Sequence, residues 1–122
     1  MSKYFFDTYA IIELIKGNPN YEFIKDNVII TSSMNIAELY YSLLLENNQE
    51  FADKIINSFN FELIDITSKI AIKSSLFRFQ NKKLRLSYID CLGYILALKN
   101  NLLFLTGDKG FESLDNVEYV KK

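Results

Sequence analysis

The sequence predicts an α/β fold, a three-layer α/β/α sandwich in which helices cover both faces of a mostly parallel central sheet. Short apolar runs alternate with longer segments of helical periodicity along the chain. Glycine and proline are scarce, at four and one, so no linker is evident in the 122 residues. This length is close to the commonest domain size, and residues 1–122 are therefore predicted to form one domain.

Five apolar segments are predicted to be strands because they are short and rich in branched or aromatic residues. In chain order they are Lys3–Phe6, Val28–Thr31, Phe61–Ile66, Leu102–Thr106 and Val117–Val120. The last of them is predicted to lie at an edge of the sheet. The order of strands and helices along the chain is typical of a doubly wound sheet, in which ligands bind at the carboxyl ends of the strands.

The segments between the strands carry apolar residues three and four positions apart, a spacing that predicts helices. In chain order the predicted helices are Thr8–Lys16, Tyr21–Asp26, Asn35 to about Glu46, Phe51–Phe59, Lys69–Gln80 and Tyr88 to about Lys99. Gly17, Asn18 and Pro19 end the first helix, and Thr67 and Ser87 are good N-cap residues for the last two. Asn81–Arg85 is predicted to be a polar, basic loop.

The residue types that the chain lacks exclude several classes of chemistry. There is no His, so Ser-His-Asp and Cys-His catalysis within the chain are excluded, as are the common zinc sites. The single cysteine, Cys91, excludes an internal disulfide and fits a reducing cytoplasm. Asp7 and Glu13 interrupt the N-terminal apolar stretch, and no run approaches the roughly 20 residues of a membrane span. We therefore expect a soluble, cytoplasmic protein without a membrane segment.

Four carboxylates are predicted to meet at the carboxyl edge of the sheet. Asp7 follows the first strand directly, and Asp108 lies two residues after the strand that ends at Thr106. Glu38 is predicted in the first turn of the helix that follows the second strand, and such a helix begins at the same edge. Asp90 lies in the first turn of a later helix among apolar neighbours, where an unpaired acid is costly to bury.

A shared divalent cation would satisfy these acids together. Mg²⁺ or Mn²⁺ suits ligands that are all oxygen and keeps several bound waters, which leaves room for phosphate oxygens. Such an ion activates a water and stabilises charge on a phosphodiester, so no protein nucleophile is needed. The sequence thus predicts Asp7, Glu38, Asp90 and Asp108 as both metal ligands and catalytic residues.

Each acid taken singly also fits a purely structural role, and these alternatives stay open. Helix caps and turns favour Asp and Glu at the positions they occupy. The four positions are Asp7 before the first helix, Glu38 three residues after Asn35, Asp90 three residues after Ser87, and Asp108 directly after Gly107.

Taken together, the segments that hold these acids resemble the PIN-domain family. They are Phe6-Asp7-Thr8, Asn35-Ile36-Ala37-Glu38-Leu39, Ser87-Tyr88-Ile89-Asp90-Cys91-Leu92 and Leu105-Thr106-Gly107-Asp108-Lys109-Gly110-Phe111. Size and organisation are most similar to the toxin half of VapBC toxin–antitoxin pairs. The resemblance implies an endoribonuclease dependent on Mg²⁺ or Mn²⁺ that acts on RNA, forms homodimers and is inhibited by a small VapB-like antitoxin protein.

The resemblance also assigns roles to individual residues. Asp7, Glu38, Asp90 and Asp108 match the acidic quartet of the family, Thr106 matches a supporting polar residue, and Thr8 is expected to act similarly. Many members carry a further acid just after the last Asp, where this chain has Lys109 and Gly110. That departure implies that a second metal binds weakly or only with substrate.

A basic segment precedes the Asp90 helix. No acid lies between Asp65 and Asp90, whereas six basic residues do: Lys69, Lys73, Arg78, Lys82, Lys83 and Arg85. We expect Lys82, Lys83 and Arg85 to steer the RNA backbone toward the acidic pocket, the alternative being an ordinary solvated loop.

Three other classes of protein are alternatives for this chain. A response-regulator receiver would need an acceptor Asp after a middle strand, and a haloacid-dehalogenase-type phosphatase would need an acid where Tyr9 stands. Neither pattern is present. A PIN-like module that binds RNA or a protein without cleaving either is the remaining alternative to an enzyme.

Overall fold

The sheet of this protein contains five strands, and every pairing between them is parallel. The structure is a computed structural model that describes residues 3–122; Met1 and Ser2, which the single-domain prediction includes, lie outside the described residues. The strands are β1 (Tyr4–Phe6), β2 (Ile29–Thr31), β3 (Phe61–Leu63), β4 (Leu103–Thr106) and β5 (Val117–Tyr119). The predicted mostly parallel sheet is confirmed, with β5 at an edge.

The strand order is β3-β2-β1-β4-β5. The chain builds outward from β1 in one direction through β2 and β3, and then in the other through β4 and β5. The carboxyl ends of β1 and β4 therefore lie side by side at the point where the order reverses. In doubly wound sheets this is the position of the ligand-binding crevice.

Five α-helices and three short 3-10 helices connect the strands in the described part of the chain. The α-helices are α1 (Thr8–Ile15), α2 (Ser33–Glu46), α3 (Gln49–Ser58), α4 (Ser68–Gln80) and α5 (Tyr88–Lys99). The 3-10 helices are Pro19–Ile24, Lys82–Leu84 and Lys109–Phe111. Among residues 3–122, no helix combines the length and the apolar character that crossing a membrane requires.

Neighbouring residues on the central strands face opposite layers, because side chains alternate along a strand. Phe5 and Phe104 stack on each other in the core beneath α5. Phe6 and Leu105 belong to the second core, which is shared with α1, α2 and α3. This alternation produces the predicted three layers.

The structure corrects four details of the predicted elements. Helix α2 begins at Ser33 rather than near Asn35, and the Ser32 hydroxyl accepts from the Asn35 amide as its N-cap. Glu38 therefore lies in the second turn, not the first, and it is not the partner of a capping box. Three further corrections are that β3 ends at Leu63 instead of Ile66, that the predicted helix Tyr21–Asp26 is a 3-10 helix over Pro19–Ile24, and that the loop Asn81–Arg85 contains the 3-10 helix Lys82–Leu84. The other predicted bounds differ from the observed ones by at most two residues.

Helix α5 lies close against the centre of the sheet, and Gly93 makes this approach possible. A Cβ at Gly93 would stand 2.9 Å from Cε1 of Phe5 and 3.0 Å from Cε1 of Phe104. Asp90 precedes Gly93 by one helical turn and so lies on the same side of α5. A glycine in mid-helix thus brings the Asp90 end of α5 to β1 and β4.

Helices α4 and α5 pack side by side and run antiparallel. Near the end of α4, the Phe77 ring stacks on Tyr94 of α5 at 5.0 Å between centroids. One residue later, Arg78 Nε donates to the carbonyl of Leu86, just before α5 begins. The end of α4 therefore lies beside the first turn of α5, which carries Asp90.

Candidate metal centre

Asp7 is a buried carboxylate at the carboxyl end of β1. Its side chain is 3% exposed, and its amide donates to the carbonyl of Leu105 on β4 at 3.0 Å. Asp7 occupies the N-cap position of α1, yet its side chain makes no capping hydrogen bond. Instead, its Oδ2 accepts from the Thr106 hydroxyl at 2.7 Å. The carboxylate is thus turned toward β4 and does not act as a helix cap.

Thr106 joins Asp7 to the turn that carries Asp108. Its Oγ1 accepts from the amide of Asp108 at 3.1 Å while the hydroxyl donates to Asp7. The Asp108 side chain in turn accepts from the amide of Gly110 at 2.9 Å. Asp108 therefore has the geometry of a turn residue and also lies beside Asp7. The two interpretations of Asp108 are compatible.

The turn between Thr106 and Asp108 is tightly packed at Gly107. A Cβ there would meet Cε1 of Tyr9 at 2.5 Å, the Val120 carbonyl at 2.6 Å and the Tyr21 hydroxyl at 2.7 Å. Only glycine leaves this backbone undisturbed. The position of Asp108 consequently depends on a residue that carries no chemistry of its own.

Asp90 has two roles in the geometry of α5. Its Oδ2 accepts from the Ser87 amide at 2.9 Å, and the Ser87 hydroxyl accepts from the Asp90 amide at 3.1 Å. This is a complete capping box, so the structural alternative for Asp90 is present. The carboxylate is nevertheless half-buried, and it makes no ion pair with a basic side chain of the described residues.

Glu38 is half-buried on α2, and the start of that helix is fixed by residues that sequence reasoning did not single out as site residues. Asn35 is completely buried; its Oδ1 accepts from the Ser32 hydroxyl at 2.6 Å, and its Nδ2 donates to Thr8 Oγ1 at 3.0 Å. The bond between Asn35 and Thr8 ties α2 to α1 next to Asp7. Thr8 therefore contacts an amide of α2 here, whereas Thr106 contacts a carboxylate directly. The sequence signal for this helix start is Asn35, a polar residue three positions after Ser32, which itself follows an apolar strand.

The carboxylates interact electrostatically. Burial is the main cause that raises the pKa of Asp7 to about 8, and the charges of Asp90 and Glu38 raise it further, against the lowering effect of the Thr106 hydrogen bond. Burial likewise raises the pKa of Asp90, and the charge of Asp108 raises this pKa further. The hydrogen bonds with Ser87 lower it. Glu38, Asp90 and Asp108 thus each raise the pKa of another acid of the set.

The arrangement is looser than a closed chelating cluster. Among residues 3–122, no three His, Cys, Asp or Glu side chains form a group already close enough to hold one metal ion. The structure links Asp7, Thr106 and Asp108 by hydrogen bonds. Asp90 and Glu38 lie near enough for their charges to raise the pKa of Asp7.

The chemistry of these donors fits a hard divalent cation. All are carboxylate oxygens, and the two with raised pKa values lack a positive partner among the described residues. Cys91, the one thiol, is buried. A cation at this edge would favour the ionised form of Asp7, which burial disfavours.

Basic side chains line a recess beside the acids. It measures about 340 Å³, and three of its lining residues are Arg78, Lys82 and Arg85. Of the three cations predicted to steer RNA, Lys82 and Arg85 line this recess, while Lys83 is exposed in the adjoining 3-10 helix.

Comparisons with solved structures find the same fold in three toxin–antitoxin proteins. VapC20 of Mycobacterium tuberculosis, described as a toxin that cleaves the sarcin-ricin loop, matches with a TM-score of 0.77 at 16% identity, covering 97% of this chain and 99% of that one. VapBC2 of Rickettsia felis, bound to promoter DNA, matches with a TM-score of 0.73 at 23% identity, covering 97% and 98%. A toxin–antitoxin complex from Klebsiella pneumoniae gives 0.71 at 21% identity, covering 96% of each chain.

The sequence comparisons differ in what they find. A search of curated proteins gave no match. The family model of the PIN domain, however, matches residues 4–117, a span that contains all four acids, Thr106 and the basic recess. This chain belongs to the PIN domain family.

Proposed function

We propose that this protein is a metal-dependent endoribonuclease and the toxin of a toxin–antitoxin pair, built as a single PIN-like domain. PIN nucleases generally use divalent metal ions. One observation supports the proposal above the others: Asp7 is buried at the switch point of the sheet, within electrostatic reach of Glu38 and Asp90 and without a counter-charge among residues 3–122. Such an arrangement is unfavourable unless a cation completes it.

Asp7, Glu38, Asp90 and Asp108 are the residues proposed to hold Mg²⁺ or Mn²⁺. When bound, such an ion lowers the pKa of a coordinated water and stabilises negative charge on a phosphodiester. The chain itself contributes orientation. Thr106 fixes the direction of the Asp7 carboxylate, and the capping box fixes the rotamer of Asp90. Supporting contacts of this kind tune the affinity of a metal site.

RNA is proposed as the substrate, and the support comes from charge and from the relatives. The recess of Arg78, Lys82 and Arg85 places cations next to the acidic edge, where they would attract a phosphate backbone. VapC20 of Mycobacterium tuberculosis, which shares the fold, is described as cleaving an RNA loop.

The decisive experiment is cleavage of labelled single-stranded RNA by the wild type, by Asp90→Asn and by Asp65→Asn, with Mg²⁺, with Mn²⁺ and with chelator. Asp65 is an exposed acid outside the site and serves as the matched control. We expect cleavage that needs metal, that is lost in Asp90→Asn and that is retained in Asp65→Asn. Metal binding without cleavage of any RNA would instead favour the non-catalytic PIN-like binding module.

A VapB-like antitoxin and a second copy of the chain are the proposed protein partners, and a reducing cytoplasm is the proposed location. VapBC complexes are among the structures that share the fold. Large apolar side chains remain exposed on two helices, Tyr41 and Leu45 on α2 and Ile72 and Leu76 on α4. Light scattering of the purified chain, alone and with the product of the neighbouring gene, tests both partners.

A further inference from the structure

A recess next to the acidic edge combines exposed aromatic rings with positive charge. Phe79 is 67% exposed at the end of α4, and Tyr88 is 55% exposed at the start of α5. Both rings line the same recess as Arg78, Lys82 and Arg85, and no acidic residue of the described chain lines it. Exposed aromatics are expensive to leave in water, so two of them in one recess suggest a ligand that covers them.

Each ring is already paired with a cation. The Arg78 guanidinium lies over the Tyr88 ring, with Cζ 4.3 Å from the centroid, and Lys82 Nζ lies 5.0 Å from the centroid of Phe79. The bond from Arg78 Nε to the Leu86 carbonyl holds the guanidinium in this position. The recess is therefore organised before any ligand arrives, which lowers the entropic cost of binding.

The backbone beside the recess is also in an unusual conformation. Arg85 has φ of 56°, in the left-handed region that residues with a side chain rarely adopt. Strain of this kind is found disproportionately at binding and catalytic sites. It occurs directly between the 3-10 helix that carries Lys82 and the Leu86–Ser87 segment that leads to Asp90.

We propose that this recess binds an unpaired nucleotide of the RNA, next to the phosphodiester held at the acidic edge. The base stacks on Phe79 and Tyr88, while Lys82, Arg85 and Arg78 contact the flanking phosphates. Aromatic stacking next to a basic groove is how proteins bind single strands with little sequence preference, because every base has a π-face. This inference rests on the proposed ribonuclease function, and it adds which residues hold the nucleotide beside the cut.

The observations favour a nucleotide over a peptide partner. Three cations without an acid are complementary to phosphate, and two flat rings are complementary to a base. The recess also adjoins the turn that carries Asp108, because Leu86, which lines the recess, lies 3.0 Å from where a Cβ of Gly110 would stand. A ligand that fills the recess is thus positioned to extend into the acidic edge.

The test measures binding of single-stranded RNA that contains 2-aminopurine, in chelator so that no metal-dependent cleavage occurs. The probe is quenched when its base stacks. Phe79→Ala and Tyr88→Ala should each lose quenching and bind roughly fivefold to a hundredfold more weakly, the range expected for loss of one stacked base. Phe79→Tyr and Tyr88→Phe keep an aromatic ring and should behave like the wild type. Phe23→Ala, which removes an exposed ring outside the recess, is the control and should not change binding.

A salt series separates stacking from charge. Lys82→Gln should reduce the slope of log affinity against log salt by about 0.7 per lost phosphate contact, which is the value for single strands. Lys54→Gln, an exposed lysine on α3, should leave the slope unchanged. Melting temperatures of all variants confirm that each is folded.

The possible results distinguish this inference from the proposed function. Alanine variants that bind and quench like the wild type overturn the nucleotide recess, even if the wild type cleaves RNA. If those variants retain RNA binding but lose binding of a protein partner, the recess is a protein-docking site and the inference is overturned as well. Variants that lose stacking, in a protein that cleaves no RNA with any metal, uphold the recess and refute the nuclease.

Discussion

The Thr106 hydroxyl donates to the Asp7 carboxylate at 2.7 Å, a contact between residues 99 positions apart in the sequence. The same oxygen accepts from the Asp108 amide. One threonine therefore contacts two of the four acids.

Replacing Thr106 with valine should weaken metal binding by roughly tenfold to a hundredfold, the range for loss of a supporting contact at a metal site. Without the hydrogen bond, the pKa of Asp7 rises further because the larger of its two lowering influences is lost, the other being the backbone of Thr8. Thr106→Ser keeps the hydroxyl and should bind Mn²⁺ nearly as the wild type does. Calorimetric titration with Mn²⁺ measures both, and equal affinities for the two variants would contradict the role of the hydroxyl.

The stability of the metal-free protein should fall as pH rises through the range in which Asp7 ionises. Burial raises the pKa of Asp7 from 3.8 to about 8, so between these values the folded state keeps a proton that the unfolded chain releases. This group therefore stabilises the fold fully below about pH 4, and its contribution is lost progressively toward pH 8. Subtracting the melting curve of Asp7→Asn from that of the wild type across pH 5 to 9 isolates the effect. A difference that does not vary with pH would show that Asp7 ionises normally.

The same shift predicts that binding a divalent cation displaces a proton. Below about pH 8, Asp7 must lose its proton to become a ligand, so metal affinity should decrease as pH falls. Titrations in buffers of different ionisation enthalpy count the protons released. About one proton attributable to Asp7 is expected near pH 6.5, and release of none would refute coordination by this residue.

Asp90→Asn should raise the melting temperature of the metal-free protein and abolish its stabilisation by Mn²⁺. The asparagine oxygen still accepts from the Ser87 amide, whereas the charge that interacts with Asp7 and Asp108 is removed. Removing a half-buried charge and its repulsion should stabilise the metal-free fold. This gain should exceed the stabilisation lost with a negative charge at the helix N-terminus, which is about 0.3–1 kcal/mol. Thermal melts with and without Mn²⁺ give both values. A lower metal-free melting temperature would mean that the cap is the more important role of Asp90.

Glu38→Gln should weaken metal binding with little effect on the metal-free fold. Ser32 caps α2, so Glu38 has no capping role to lose. Ser32→Ala should have the opposite profile and cost about 1–2 kcal/mol of stability through loss of the cap. Denaturant unfolding and Mn²⁺ titration of the two variants test this contrast. If Glu38→Gln proves the more destabilising of the pair, the assignment is wrong.

Sequence reasoning placed Asp7, Asp90 and Asp108 correctly relative to the strands and helices, because apolar runs and N-cap residues mark where those elements begin and end. Asp7 and Asp108 follow strands whose apolar runs are unambiguous, and Ser87 marks the start of α5 clearly. The start of α2 is harder to predict, since Ser32, Ser33 and Asn35 are all good N-cap residues and lie within four positions of one another. Only the buried contact from Asn35 to Thr8 decides among them, and it depends on a residue 27 positions away.

The length of β3 is another detail that the local sequence does not determine. Ile64 and Ile66 have the side chains of a strand, but β2 ends at Thr31, opposite Leu63. The Ile64 amide makes one further bond to the Thr31 carbonyl, and no partner strand continues beyond it. The end of a strand is thus set by its neighbour. The effect of Asp90 on the pKa of Asp7 likewise depends on tertiary packing, because Gly93 lets α5 approach the sheet closely. No local sequence pattern predicts this approach.

The strand order has a consequence for the cell that makes this protein. Asp7, which follows the central strand β1, is synthesised 99 residues before Thr106 on the neighbouring strand β4. A chain still attached to the ribosome therefore holds Asp7 without its partner until β4 has emerged and inserted beside β1. No shorter N-terminal part of the chain therefore holds Asp7, Thr106 and Asp108 together, and the candidate site is assembled only once β4 has joined the sheet.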